Sequence, residues 1–241
     1  MIVAIDGPAA SGKSTVAKLL ASRLGLAYLD TGAMYRAIAV EALRRGIDLA
    51  DADTLTALSH EVTVSLEHEP GVQLPTKVIV DGRDVTHEIR TPEVDVAVSP
   101  VSAVAGVRAA MVEQQRRMAT EAPNTVLEGR DIGTVVFPHA EAKVFLTAGV
   151  EERARRRTID MIQRGVEMTQ SDVLDKLMSR DSYDSNREAS PLTCADDAVV
   201  IDTTGMTIDE VVDAITGLLE ARRLAASPSH RACSGWRTPC A

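Results

Sequence analysis

Residues 2–15 read Ile-Val-Ala-Ile-Asp-Gly-Pro-Ala-Ala-Ser-Gly-Lys-Ser-Thr. Ile2, Val3, Ala4 and Ile5 form an apolar run with the length of a buried strand, and Val16, Leu19, Leu20 and Leu24 then recur with helical spacing. Between them lies Gly7-x4-Gly12-Lys13-Ser14, a phosphate-binding loop in a strand–loop–helix setting. Such a loop turns successive backbone N–H groups toward an anion at a helix N-terminus, where the helix dipole also favours negative charge. Lys13 is then placed to reach the β and γ phosphates of a nucleotide, and Ser14 to bind Mg²⁺.

Working outward, Gly25 closes the first helix, residues 26–29 read as a short strand, and Asp30-Thr31 caps a helix that runs to Arg45-Gly46. A helix follows over about 52–61. Residues 62–66 and 77–85 then alternate with period two, separated by Glu-Pro-Gly and Leu-Pro turn signals, which predicts a β-rich insertion. Helices are expected over about 92–98 and 105–120, strands at 125–128 and 143–146, an Arg-rich helix over 151–165 and another charged helix over 169–182. A strand at 198–202 leads to a final helix over 207–223. Strands alternating with helices imply an α/β fold with a parallel sheet and ligands at the carboxyl ends of its strands. Residues 224–241 lack periodicity and read as a disordered tail.

Composition narrows the function. The 241 residues carry a net charge of -9, which argues against non-specific gripping of nucleic acid. Six aromatics leave little for a base-stacking platform. Arg outnumbers Lys by 21 to 5, which suits two-pronged phosphate recognition, although codon bias produces the same excess. Cys194, Cys233 and Cys240 indicate neither a disulfide framework nor a metal cluster. With no leader and no long apolar segment, the expected protein is cytoplasmic, without membrane or nucleic-acid partners.

A phosphate loop alone does not separate motor, switch and kinase. Three further segments narrow the choice: Tyr28-Leu-Asp-Thr-Gly-Ala-Met-Tyr-Arg36, Glu128-Gly-Arg-Asp-Ile-Gly-Thr134 and Arg180-Asp-Ser-Tyr-Asp-Ser-Asn-Arg187. The first two follow core strands, so they emerge at the same sheet edge. Together they offer many guanidiniums to one crowded polyanion.

With Glu-Ile-Arg-Thr at 88–91, Gly-Arg-Asp-Ile-Gly-Thr-Val-Val-Phe-Pro at 129–138 and Glu-Arg-Ala-Arg-Arg-Arg at 152–157, the chain closely resembles the bacterial cytidylate kinases over residues 1 to about 223. The resemblance implies a P-loop core sheet flanked by helices (1–61, 91–149 and 167–223), a β-rich monophosphate-side insertion at 62–90 and a short Arg-rich lid at 150–166. It implies transfer of a phosphoryl group from Mg·ATP to CMP or dCMP; apart from the resemblance, a monomer is expected.

Carried over by position, Gly7, Pro8, Ala9, Ala10, Ser11, Gly12, Lys13, Ser14 and Thr15 hold ATP. Thr31, Arg36 and Arg130 contact the CMP phosphate, while Ser99, Arg108 and Asp131 read cytosine. Arg180 and Asp184 hold the sugar, and Arg187, with Arg153 and Arg157 of the lid, neutralises charge near the transferred group. Ser14 binds Mg²⁺, with Glu128, at a strand end where relatives carry Asp, as an outer-shell partner.

Ordinary structural roles stay open for several of these. Arg108 can pair with Glu113, the 153–157 run can be a solvated helix face, Asp181 and Asp184 can cap or pair with neighbours, and Ser99-Pro100 can end a helix. Two rival functions are also open: a kinase for AMP, UMP or shikimate, and a nucleotide-dependent switch, which the absence of an Asn-Lys-x-Asp element disfavours.

Overall fold

The computed structural model describes residues 1–67, 74–122, 124–163 and 165–226. The expected Glu-Pro-Gly turn and most of the expected tail lie outside these.

The chain starts in the middle of its main sheet. β1 (Ile2–Asp6), β2 (Ala27–Asp30), β6 (Thr125–Gly129), β7 (Ala142–Thr147) and β8 (Val199–Asp202) pair in the order β2-β6-β1-β7-β8, every pair parallel. Val3, Ala4 and Ile5 are completely buried, as a central parallel strand covered on both faces requires, and this is why β1 is continuously apolar rather than alternating. Because β6 and β7 flank β1 on opposite sides, the loops leaving β1 and β6 diverge around a crevice at the carboxyl edge.

Helices cover both faces. α1 (Lys13–Leu24) and α8 (Ile208–Ala226) meet one side, where Val16, Leu20, Val212 and Ile215 join Ile5 and Val144 in one apolar cluster. On the other side α2 (Thr31–Arg44), α3 (Ala52–Glu61), α4 (Pro92–Ala103) and α5 (Ala105–Glu121) build a larger cluster around Met34, Ile38 and Leu127. Truncating Leu127 or Ile38 to Ala in such packing costs about 2–5 kcal/mol. α6 (Val150–Gln163) and α7 (Gln170–Asn186) pack on each other over a third, small cluster. α8 carries the chain to Ala226, so the first three residues of the expected tail are helical.

The insertion is a small antiparallel sheet, β3 (Val64–Glu67), β4 (Lys77–Val80) and β5 (Arg83–Asp84). Residues 77–85 read as a single alternating strand, but Asp81 (φ 46°) and Gly82 (φ 80°) fold them into a two-residue hairpin, the turn that Asp-Gly favours. Gln114 of α5 fastens β3: its Oε1 accepts from Val64 N and its Nε2 donates to Val62 O, both at 3.0 Å. α4 runs to Ala103, beyond the expected end near 98. Pro100 sits inside it and gives up one helical hydrogen bond without ending the helix.

Candidate active site

β1 ends at Asp6 and the chain turns at Gly7, where a Cβ would stand 2.0 Å from the Leu146 carbonyl oxygen, so no other residue fits. Ala10 (φ 60°) and Gly12 (φ 94°) take left-handed backbone, which curls the loop before α1 begins at Lys13. For Ala10 that conformation costs about 1–2 kcal/mol, so its surroundings must hold it. Lys13 is buried, and its Nζ donates to Pro8 O at 2.6 Å. Burial, reinforced by the Arg130 guanidinium, depresses its ammonium to about 7. A bound polyphosphate supplies the negative charge that would restore it.

Glu128, at the end of β6, lies beside the loop. Its Oε2 accepts from Ser14 Oγ at 2.8 Å, its Oε1 from the Tyr28 hydroxyl at 2.5 Å, and its main-chain oxygen from Thr31 Oγ1 at 2.6 Å. Burial and the nearby Asp30 carboxylate raise its pKa, and burial likewise raises that of the Tyr28 phenol. A buried carboxylate disfavoured in its charged form, next to a serine hydroxyl and a second acid, suits a hard divalent cation. Among the described residues no group of three or more His, Cys, Asp or Glu could hold a metal unaided, so phosphate oxygens and water would complete the shell.

Asp6 does different work. Its two carboxylate oxygens accept from Ile132 N at 2.8 Å and Gly133 N at 2.7 Å. This seats a single π-helical turn, Ile132–Val136, directly after Arg130 and Asp131. Burial, outweighing those two donors, raises Asp6 to about 6.

Facing the loop are the guanidiniums. Arg36 donates to Ile89 O at 3.0 Å and to Asp95 Oδ1 at 2.5 Å, and Arg157 of α6 donates to Asp95 Oδ2 at 3.0 Å. Arg130 Nε donates to Asp184 Oδ2 at 3.0 Å. Arg180 and Arg187 also approach Asp184, at 4.0 and 3.7 Å. Three arginines hold its carboxyl below the usual range against the opposing effect of burial. Arg156 donates to Thr203 O at 2.8 Å and Oγ1 at 2.9 Å, beside Gly12.

One cleft of about 510 Å³ is bounded by residues 9–16, Asp30, Arg36, Arg90, Glu128, Arg130, Arg155–Arg157 and Arg180, with Met206, Ile208 and Val211 at its apolar end.

Behind Arg130 lies a buried layer. Arg108 Nη1 donates to Ser102 O at 3.0 Å, Arg108 Nη2 donates to Asp131 at 2.5 Å, and the guanidinium lies 5.0 Å from the Tyr35 ring centre. Arg108 Nε and Arg187 Nη2 are buried donors without hydrogen-bond partners, each an expense of about 1–3 kcal/mol unless a ligand oxygen or nitrogen meets it.

The structure therefore brings the loop, Arg36, Glu128, Arg130, Arg157 and Arg180 around one cleft, with Thr31 buried between the lining residues Asp30 and Gly32, and sets Arg108, Asp131, Asp184 and Arg187 directly behind it. Two residues stand apart. Ser99 is half-buried within α4, its carbonyl accepting from Ser102 Oγ at 3.2 Å. Arg153 is turned from the cleft, because the first turn of α6 abuts the 148–149 connection and the phosphate loop. Its Nε donates to Ala148 O at 3.1 Å and its Nη1 to Ala9 O at 3.2 Å. Asp6, Tyr28, Asp95 and Arg156 carry no individual role in the sequence, and Asp181 reads there only as a cap or a partner of neighbouring arginines. Asp6 abuts the loop and could have been found there, whereas Asp95 reads only as an acid in the first turn of a helix.

The profile of the family described as cytidylate kinase matches residues 3–221. The cytidylate kinase of Desulforamulus reducens is 51% identical over 218 residues, which cover 90% of this chain and 96% of that protein. That of Pelotomaculum thermopropionicum is 49% identical over 92% of this chain and 96% of its own length. A bifunctional pantoate ligase/cytidylate kinase of Synechococcus sp. is 48% identical over 92% of this chain but only 45% of its own length.

Proposed function

The chain belongs to the cytidylate kinase family, and on that premise we propose how the cleft divides the transfer of a phosphoryl group from ATP to CMP or dCMP. Residues 7–15 hold the donor polyphosphate, with the adenosine toward Met206, Ile208 and Val211 and the Arg156 guanidinium beside it. Arg36 and Arg130, with Thr31, hold the acceptor phosphate. Arg180 and Asp184 take the sugar, Arg108 and Asp131 the cytosine. Residues 62–90 form the acceptor-side insertion, and α6 is a lid whose Arg157, with Arg187, offsets charge near the transferred group. Ser14, with Glu128 behind it, would hold Mg²⁺, which would supply positive charge to offset that of the donor phosphates.

Phosphoryl transfer asks little covalent work of the protein. The two phosphates must be held in line and the charge on the transferred group stabilised. Among the described residues no histidine lines the cleft, and a transfer of this kind needs no general base. Its guanidiniums are fixed before substrate arrives, which reduces reorganisation during transfer. Closing α6 over the loop excludes water that would otherwise hydrolyse ATP.

The observation that carries this reading is the convergence of Arg36, Arg130, Arg157 and Arg180 opposite the phosphate loop, with the buried Arg108–Asp131 pair directly behind. Phosphorus NMR of a mixture of enzyme, Mg·ATP and CMP tests it. One CDP should appear for each ADP; ADP with inorganic phosphate and no CDP would mark a hydrolysing switch.

A further inference from the structure

Both peptide groups flanking the Ala9 Cα are held from outside the loop. Its N–H donates to Asp181 Oδ1 at 3.2 Å, and its carbonyl accepts from Arg153 Nη1 at 3.2 Å. Arg153 and Asp181 are themselves an ion pair, and Arg153 Nε is tied to Ala148 O. The Ala9 methyl is buried in the small cluster of Ala154, Val173 and Leu177, the apolar face shared by α6 and α7. The next residue, Ala10, holds its left-handed backbone without glycine's freedom.

Resting on the reading of residues 7–15 as the donor loop, we propose that Arg153 and Asp181 are positioning residues for that loop. They clamp Ala9 so that Ala10 keeps the conformation that aims the following N–H groups at the donor phosphates. Arg153 thus acts through the loop and does not touch the transferred group. A carboxylate suits the Ala9 N–H because it accepts strongly and simultaneously compensates the buried guanidinium. Since α6 carries Arg153 and α7 carries Asp181, the same clamp ties donor binding to the seating of both helices.

Calorimetric titration with Mg·ADP and, separately, with CMP tests the proposal. Asp181→Ala and Arg153→Ala should each weaken Mg·ADP by about tenfold, the usual worth of a charge-assisted hydrogen bond, and leave CMP within about twofold. The double variant should bind Mg·ADP about as the single variants do, because the pair acts as one unit. Ala10→Gly, introduced into Asp181→Ala, should recover part of the lost affinity, since glycine adopts the left-handed backbone unaided. A general loss of packing would give no such recovery. If Asp181→Ala melts too low to titrate, Asp181→Asn keeps an oxygen for the Ala9 N–H and should lose about threefold.

Mg·ADP affinity unchanged in Asp181→Ala, no recovery from Ala10→Gly, or an Arg153→Ala enzyme that loses kcat with unaltered Mg·ADP affinity would each overturn the clamp. A wild-type protein that binds no Mg·ADP would overturn the donor-loop reading itself, and the clamp with it.

Discussion

Arg108 Nη2 stands 2.5 Å from Asp131 Oδ2, and both side chains are buried behind the cleft. The pair presents a carboxylate acceptor beside guanidinium donors. Cytosine offers the complementary pattern, an N4 amino donor next to the N3 and O2 acceptors. Uracil reverses it with an O4 acceptor and an N3–H donor, leaving buried polar groups unpaired. Asp131→Ala is therefore expected to lower kcat/KM for CMP at least tenfold more than for UMP. It should also lower the melting temperature, because a buried guanidinium without its partner costs about 3–5 kcal/mol. Equal losses for both substrates, measured below that melting transition, would remove Asp131 from base reading.

Lys13→Met should lower kcat by about 10²- to 10³-fold and leave CMP binding intact, since the ammonium acts on the donor phosphates. CMP affinity measured by calorimetry separates the two effects. Turnover within tenfold of wild type would contradict the role given to Lys13.

The phosphate loop, the parallel core and the insertion were legible because each rests on local signals: a continuous apolar strand, Gly7 and Gly12 at fixed offsets, and period-two alternation at 62–66. The hairpin at Asp81-Gly82 carried an equally local signal that was outweighed by the alternation on either side of it. α4 overran its expected end because Val98 and Val101 are buried against the core, and tertiary packing outweighs the cost of Pro100. Within the site, residue types and strand ends pointed to the arginines. Asp181 and Asp184 read as partners of neighbouring arginines, but the long-range contacts were hidden, because Asp95 meets Arg157 across 62 residues of sequence and Asp181 meets the Ala9 N–H across 172. The same limit applies to Arg153: adjacency to Arg155–Arg157 says nothing about which guanidinium the loop itself consumes.

Asp6 gives a pH dependence of defined sign. Its carboxyl is raised to about 6 from 3.8, so the folded state binds the proton more tightly and stability from this group falls as pH rises through that window. The loss by pH 7 is about 2–3 kcal/mol at 1.36 kcal/mol per unit of pKa. In Asp6→Asn this fall should vanish. Urea unfolding of both proteins at pH 4.5, 6 and 8 checks it: their stability difference should drift toward the variant as pH rises. A difference independent of pH would show that Asp6 is ionised in the fold throughout.

Asp95 joins Arg36 of the acceptor side to Arg157 of α6. Removing its charge in Asp95→Asn should loosen α6 in the nucleotide-free enzyme. Amide exchange across 150–163 is expected to accelerate about fivefold, the worth of roughly 1 kcal/mol in a partly buried bridge. Exchange indistinguishable from wild type would mean that α6 is held by its packing on α7 alone.

The central claim, that this cleft phosphorylates CMP and dCMP, is tested most directly by ADP release from Mg·ATP in the presence of CMP, dCMP, UMP, AMP or no acceptor. CMP and dCMP should give kcat/KM values about 10²- to 10⁴-fold above that for UMP, as expected when a buried polar site meets the wrong hydrogen-bonding pattern. AMP and the acceptor-free control should release almost no ADP. Comparable rates for CMP and UMP, a preference for AMP, or ADP release that needs no acceptor would contradict the account.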